Sequence, residues 1–298
     1  MHLFKHDLLE DNLALRRKIL AAKIIIVLLF ITLLLSPLGN QKTMKPKFVN
    51  YIARLKIEDE IVYDHERINR LAQITEDKQI KAVILHINSP GGTIGGSEAY
   101  YRVLKKIAAT KPLIIVMNEV AASGGYLIAL AGERIYALET TYTGSIGVRT
   151  EAIEVTELAA KLGIKLHSFK TSELKAAPNP FEKVSQRVAE NVQYNLEEGQ
   201  RFFVKLVQEN RKLTSTQLAK ATNGSVFMGS QALRLGLIDE IGDEETALQF
   251  LKTTHKLDYN TLDYQIEVPK HEIEQLLRRF KSKITSLLST KSQIMATR

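Results

Sequence analysis

The chain contains no cysteine among its 298 residues. Disulfides, thiolate zinc sites and cysteine nucleophiles are therefore excluded outright, although the absence is compatible with either redox compartment. Also missing is any segment that interleaves basic and aromatic residues, as a stacking platform for nucleic acid requires. That matters because the net charge is +8. The basic residues are spread along the chain, with mild clusters at Arg16–Lys18, Lys42–Lys47 and Arg278–Lys283. The first two flank an apolar segment and suit attraction to anionic lipid. The third reads as a solvated basic surface. No nucleic-acid partner is expected.

What is present is ordinary globular composition, 45% hydrophobic and 25% charged. The length allows one large domain or two small ones with ample core. No internal repeat of the helical-solenoid kind occurs.

Residues 19–38, ILAAKIIIVLLFITLLLSPL, are apolar from Ile24 to Leu35 apart from Thr32. Twenty helical residues span roughly 30 Å, about one hydrocarbon core. Lys23 lies near one end and can snorkel. Arg16, Arg17 and Lys18 precede the span, which predicts a cytoplasmic N-terminal segment, residues 1–18. Lys42, Lys45 and Lys47 on the other side weaken that asymmetry. A cleaved signal peptide is the competing reading. Against it stand Asp7, Glu10 and Asp11 in the lead, and SPLGNQ, which is not a small-x-small cleavage site. An uncleaved anchor is favoured, followed by a linker over residues 39–48.

From residue 49 strands and helices alternate. Strands are expected at 49–57, 80–88, 112–118, 134–138 and 163–169. Helices are expected at 64–77, 96–109, 123–132, 154–162, about 181–211 and 215–222. The near-continuous apolar runs IKAVILHIN and PLIIVMN read as buried parallel strands. The pattern predicts an α/β fold with parallel pairing over residues 49–254. The tail, residues 255–298, carries Ile273, Leu276, Leu277, Phe280 and Ile284 at helical spacing, which predicts an amphipathic helix.

Two glycine-rich turns follow buried strands. NSPGGTIGG, Asn88–Gly96, lacks both the Gly-Lys-Ser/Thr of a P-loop and the G-x-G-x-x-G dinucleotide spacing. Gly91 and Gly92 can instead present backbone N–H groups to an oxyanion. The second turn, AASGG, places Ser123 among the smallest side chains at the start of a helix. Small neighbours admit another molecule's backbone, and a helix N-terminus offers unpaired N–H groups. Ser123 is then either a nucleophile or a helix cap whose small neighbours pack tightly. Both turns sit at strand ends that can face one crevice, which strengthens the catalytic reading.

A serine nucleophile needs a base. His2 and His6 precede the apolar span, His86 falls within a buried strand, and none of His65, His167, His255 and His271 sits in a motif. No G-x-S-x-G elbow surrounds Ser123. Lysine is the alternative. FKTSELKAAPNPF offers Lys170 and Lys175 beside a proline-bounded loop. A lysine starts near pKa 10.4, so base chemistry near neutrality needs a downward shift of roughly three units. Burial without an acidic partner supplies such a shift, and Ala176, Ala177 and Pro178 make the setting of Lys175 apolar.

The motifs INSPGG, AASGGYLIA, TGSIGV and LKAAPNPF, in this order and spacing, resemble the signal peptide peptidases of the short, membrane-anchored bacterial kind. The later FFVKLVQENRKLT and NGSVFMGSQALRLGLIDEIG resemble the same family. The match covers about residues 50–250. It implies Ser123 as nucleophile and Lys175, 52 residues on, as general base. It implies Ser145 as the residue that orients the base, and the backbone N–H groups of Gly92 and Gly124 as the oxyanion hole. It implies a Clp/crotonase-like superhelix of strand-strand-helix turns, and a homo-oligomer, an octamer, whose dyad is completed between adjacent protomers. Hydrophobic signal-peptide remnants are the implied substrates, with the catalytic domain on the periplasmic or extracellular side of the plasma membrane and no metal or nucleotide cofactor. The chain departs from the family's K-x-G-x-x-K stretch, having Thr171, Ser172, Glu173 and Leu174 in the gap. If that segment were extended, Glu173 and Lys175 would share a face. The alternatives are a non-catalytic membrane scaffold of the same fold, and a crotonase-type acyl-CoA enzyme.

Overall fold

The computed structural model describes residues 50–264, together with Lys23 and Ile266. The chain falls into two compact units, residues 1–47 and 48–298. The expected span at 19–38, apart from Lys23, and the expected tail helix lie outside the described residues. Among the described residues no helix is long and apolar enough to cross a membrane.

The first strands and helices follow the hydrophobic patterning. Strand β1 is Tyr51–Glu58, helix α1 His65–Glu76, strand β2 Ile80–Ser89, helix α2 Ile94–Ala108 and strand β3 Leu113–Ala122. Helix α3, Gly124–Ala129, is followed by strands β4, Arg134–Ala137, and β5, Tyr142–Gly144. Helices α4, Thr156–Lys161, α5, Gln186–Asn210, and α6, Ser215–Ala221, come next. The last elements are β6, Val226–Met228, α7, Gly229–Leu235, β7, Glu240–Ile241, α8, Glu244–Thr254, and β8, Thr261–Asp263.

The strands form a mixed sheet in the order β6-β5-β3-β2-β1-β8, with β4 also pairing with β3, and β7 with β4. Every pairing is parallel except β5 with β6. Alternation along the strands explains why both faces are covered. Val83, Leu85 and Ile87 of β2 join Leu113, Ile115 and Met117 of β3 in the larger core. Ala82, Ile84, Ile114 and Val116 point the other way, onto Ala247 and Leu251 of α8. Each fully buried Ile or Leu contributes roughly 1.5–3 kcal/mol. Parallel strands buried on both faces read as continuous apolar runs, so β2 and β3 were legible from sequence.

Strand β3 positions the site. Its first half, Ile114–Met117, pairs with β4, and its second half, Val120–Ala122, pairs with β5. The strand therefore changes neighbours over Asn118–Glu119, and the sheet opens there. The β2–β3 register also shifts between Ile87 and Ser89. Asn88 bridges the irregularity, its side-chain oxygen accepting the Val120 N–H at 3.2 Å. A crevice beyond strand C-termini at such a switch is where open α/β sheets bind ligands.

The strand expected at 163–169 does not form; these residues are irregular and exposed. The GIKLHSF pattern has β propensity but finds no neighbouring strand, and an unpaired strand loses its ladder hydrogen bonds. Six elements escaped the sequence reading: strands β5 to β8, helix α7 and the eleven-residue helix α8. Strands β5 to β8 have two or three residues each, too few for a period to register, and α7 spans only two turns.

Candidate active site

Three strand ends converge. The glycine turn after β2 is pegged by Ser89, which is fully buried. Its hydroxyl donates to the Asp59 carbonyl at 2.5 Å and accepts the Gly91 N–H at 3.1 Å. Beyond it, Ile61 N–H donates to Gly91 O at 2.8 Å and Thr93 N–H to Ile61 O at 2.9 Å. Gly92 is held so closely that a Cβ there would fall 1.9 Å from the Ile61 oxygen.

Ser123 ends β3. It occupies the residue before α3 with φ 52° and ψ −120°, and its side chain makes no capping bond. The capping reading is therefore wrong. A serine cap takes an extended backbone and bonds an N–H two or three residues on. Here the backbone is neither extended nor helical, and the hydroxyl is left free of the helix N-terminus. Such a conformation at a non-glycine residue costs about 1–3 kcal/mol and is characteristic of functional positions. It has the strand-turn-helix character of a nucleophile elbow without the G-x-S-x-G sequence.

The second and third turns touch. Ser123 N–H donates to Gly144 O at 2.8 Å, and Ser145 N–H donates to Ser225 O at 2.8 Å. Ser145 itself has φ 50° and follows Gly144 at φ 80°. Gln200 on α5 supports this loop, donating to Thr222 O at 2.9 Å and Ile146 O at 3.5 Å. The first and second turns also meet. A Cβ on Gly124 would lie 3.1 Å from Gly92 N and 3.3 Å from Gly91 Cα, and one on Gly91 would lie 2.8 Å from Gly124 N. The structure thus gathers Ser123, Ser145, Gly92 and Gly124 at one end of the sheet. The amides of Gly92 and Gly124 find no backbone acceptor among the described residues. Two such donors beside a hydroxyl can stabilise a tetrahedral oxyanion.

Lys175 is placed differently. It is exposed, in a turn between α4 and α5, and no bond joins it to Ser123 in the single chain. The segment is not extended, because Lys175 N–H donates back to Ser172 O at 3.2 Å. Glu173 does not face the Lys175 amine. It accepts the Ser185 hydroxyl and lies 3.9 Å from Arg187. Lys170 is committed to an ion pair with Glu182, and that bond holds the Glu182 carboxyl below its usual range. Among the described residues no carboxylate pairs with Lys175.

Among the described residues no hydrogen bond joins a histidine to Ser123. His86 Nε2 meets Glu244 at 2.9 Å and Nδ1 meets Asn118 at 3.3 Å, so it is a satisfied structural residue. Burial pushes the Glu244 carboxyl up, but bonds from Arg54 at 2.9–3.0 Å and from His86 outweigh it and leave the group below its usual range. Sequence reading missed Ser89 and Gln200 as supports. Ser89 lay in a motif already singled out, whereas Gln200 sits in a polar helix with no distinguishing signal.

Residues 105–258 match the model of peptidase family S49. A chain of Methanocaldococcus jannaschii named only as a candidate protease is 32% identical over 67% of this chain and 70% of its own length. A chain of Enterococcus faecium bearing the signal peptide peptidase name is 34% identical over 68% of this chain and 60% of its own. Protease 4 of Haemophilus influenzae is 35% identical over 66% of this chain, which spans only 32% of that longer protein. The chain therefore belongs to peptidase family S49 and is, by that membership, a serine peptidase.

Proposed function

We propose that the protein is a serine-lysine endopeptidase in which Ser123 attacks the scissile carbonyl and Lys175 takes its proton. Gly92 and Gly124 N–H groups hold the oxyanion, and Ser145 orients the amine. The observation that carries this reading is the Ser123 backbone, which is strained, uncapped and packed against both glycine turns. Lys175 reaches Ser123 of an adjacent copy in a homo-oligomer, an octamer. Its exposure in the single chain supports this. So do the exposed apolar side chains of the stretch of chain that precedes it, Ile153, Leu162, Ile164, Leu166 and Phe169, the last 96% exposed. Exposed apolar side chains gathered in one stretch of chain suit an interaction surface, and an interface there would bury the lysine as base chemistry requires.

Substrates are hydrophobic peptides of the signal-remnant kind. Residues 19–38 anchor the chain in the plasma membrane, with residues 1–18 cytoplasmic and the peptidase unit on the periplasmic or extracellular side. The protease names among the relatives favour this over an acyl-CoA enzyme or a scaffold. The test is cleavage of a quenched-fluorescent apolar peptide by the full chain in detergent, beside Ser123→Ala and Lys175→Ala of the same assembly state. Activity in the parent and loss in both variants is expected. Survival in Ser123→Ala contradicts the reading.

A further inference from the structure

Helix α2 begins two residues after Gly92, with Thr93 as its cap accepting the Gly96 N–H at 3.1 Å. Its fourth residue, Ser97, is 1% exposed, and its hydroxyl is buried with no hydrogen-bond partner among the described residues. Helical serines commonly turn the hydroxyl back onto the carbonyl four residues earlier. Here that carbonyl belongs to Thr93, and it takes the Ser97 N–H at 2.9 Å but not the hydroxyl. Alanine would fill nearly the same space without a buried unmatched donor, which is destabilising. An orphaned buried hydroxyl in a native fold calls for a reason.

Its surroundings supply one. A Cβ on Gly124 would lie 2.3 Å from Ser97 Oγ, and the same point is 3.1 Å from Gly92 N. The hydroxyl oxygen therefore faces the Cα of Gly124, in the place any larger residue would need. The hydroxyl proton has no acceptor and is shielded from water. It forms a rotatable dipole beside the two amides assigned to the oxyanion.

We propose that Ser97 is a positioning residue of the oxyanion hole, an inference that rests on the serine-lysine reading. In the chemical step the Ser123 oxygen bonds to the scissile carbon, its proton passes to Lys175, and the carbonyl π pair moves onto oxygen. That negative charge develops beside Gly92 and Gly124. The Ser97 hydroxyl does not touch it. It packs against Gly124, fixes the separation of the two amides, and turns its unengaged proton end toward the charge through the Gly124 peptide. An unmatched dipole destabilises the resting fold and is compensated only when the oxyanion forms, which is differential stabilisation of the transition state.

The experiment compares the full-length detergent-solubilised parent with Ser97→Ala and Ser123→Ala. For Ser97→Ala, kcat is expected to fall about tenfold with KM unchanged, a smaller loss than removal of a direct oxyanion donor. A peptide aldehyde of the substrate sequence, whose serine adduct carries the oxyanion, should bind more weakly by the same factor. The melting temperature should equal or exceed the parent's. An unchanged kcat overturns the proposal. So does a fall in kcat accompanied by a raised KM and a lowered melting temperature, the pattern of a merely structural residue. Activity that survives Ser123→Ala defeats the serine-lysine reading itself. Loss in Ser123→Ala with Ser97→Ala fully active defeats only the role of Ser97.

Discussion

The amide of Ser123 donates to the carbonyl of Gly144 at 2.8 Å, locking the end of β3 to the turn that carries Ser145. One hydrogen bond thus couples the backbone of the proposed nucleophile to the residue proposed to orient its base. Both serines have positive φ, 52° and 50°. Two adjacent turns hold non-glycine residues in a region that glycine prefers, which marks the place where stability has yielded to function.

That strain is measurable. Ser123→Gly relieves it and Ser123→Ala retains it. Both variants should be inactive, with Ser123→Gly the more stable by about 1 kcal/mol, after allowing for glycine's greater freedom in the unfolded chain. Denaturant unfolding of the pair provides the comparison. Equal stability would mean that the φ of Ser123 carries no strain.

Gly124 should tolerate no side chain. A Cβ there meets Ser97 Oγ at 2.3 Å and Gly92 N at 3.1 Å. Gly124→Ala must displace the Ser97 hydroxyl and press on the Gly92 amide, and kcat should fall by about 10²–10³, the loss typical of a damaged oxyanion hole. Substrate KM and the parent's fold, followed by circular dichroism, should change little. Gly95, whose Cβ would meet nothing within 4 Å, is the control, and Gly95→Ala should keep near-parent activity.

Much of this was legible in the sequence, for physical reasons. Strands β2 and β3 are buried on both faces, so their apolar runs announced them, and each ended in a glycine turn that proved to face the other. The conformation of Ser123 was not legible, because an A-S-G-G string serves equally well as a helix cap. Nor was the failure of 163–169 to form a strand, since an apolar alternation does not reveal whether a partner edge exists. The placement of Glu173 depended on whether its segment was extended, and the turn closed by Lys175 N–H on Ser172 O answered that.

A separate polar cluster behind the sheet sets a pH dependence of stability. Bonds from Arg54 and His86 hold the Glu244 carboxyl below its usual 4.5. A carboxyl depressed in the folded state contributes stability above its unfolded pKa, and that contribution is lost as pH falls through the folded value. Glu244→Gln should therefore destabilise the protein at pH 6–7. The gap between variant and parent should close as the pH drops below about 4. Thermal melts across that range test it, and a gap that stays constant with pH would remove Glu244 from this role.

The central claim, that serine and lysine meet between copies, is tested most directly by mixing. Ser123→Ala and Lys175→Ala, each inactive alone, would be dissociated together and allowed to reassemble at equal ratio. Where each site takes Ser123 from one copy and Lys175 from its neighbour in a ring, random assembly should restore about one quarter of parent activity per site. Mixed assemblies that form but remain inactive would contradict the account and place both residues of each site within one chain.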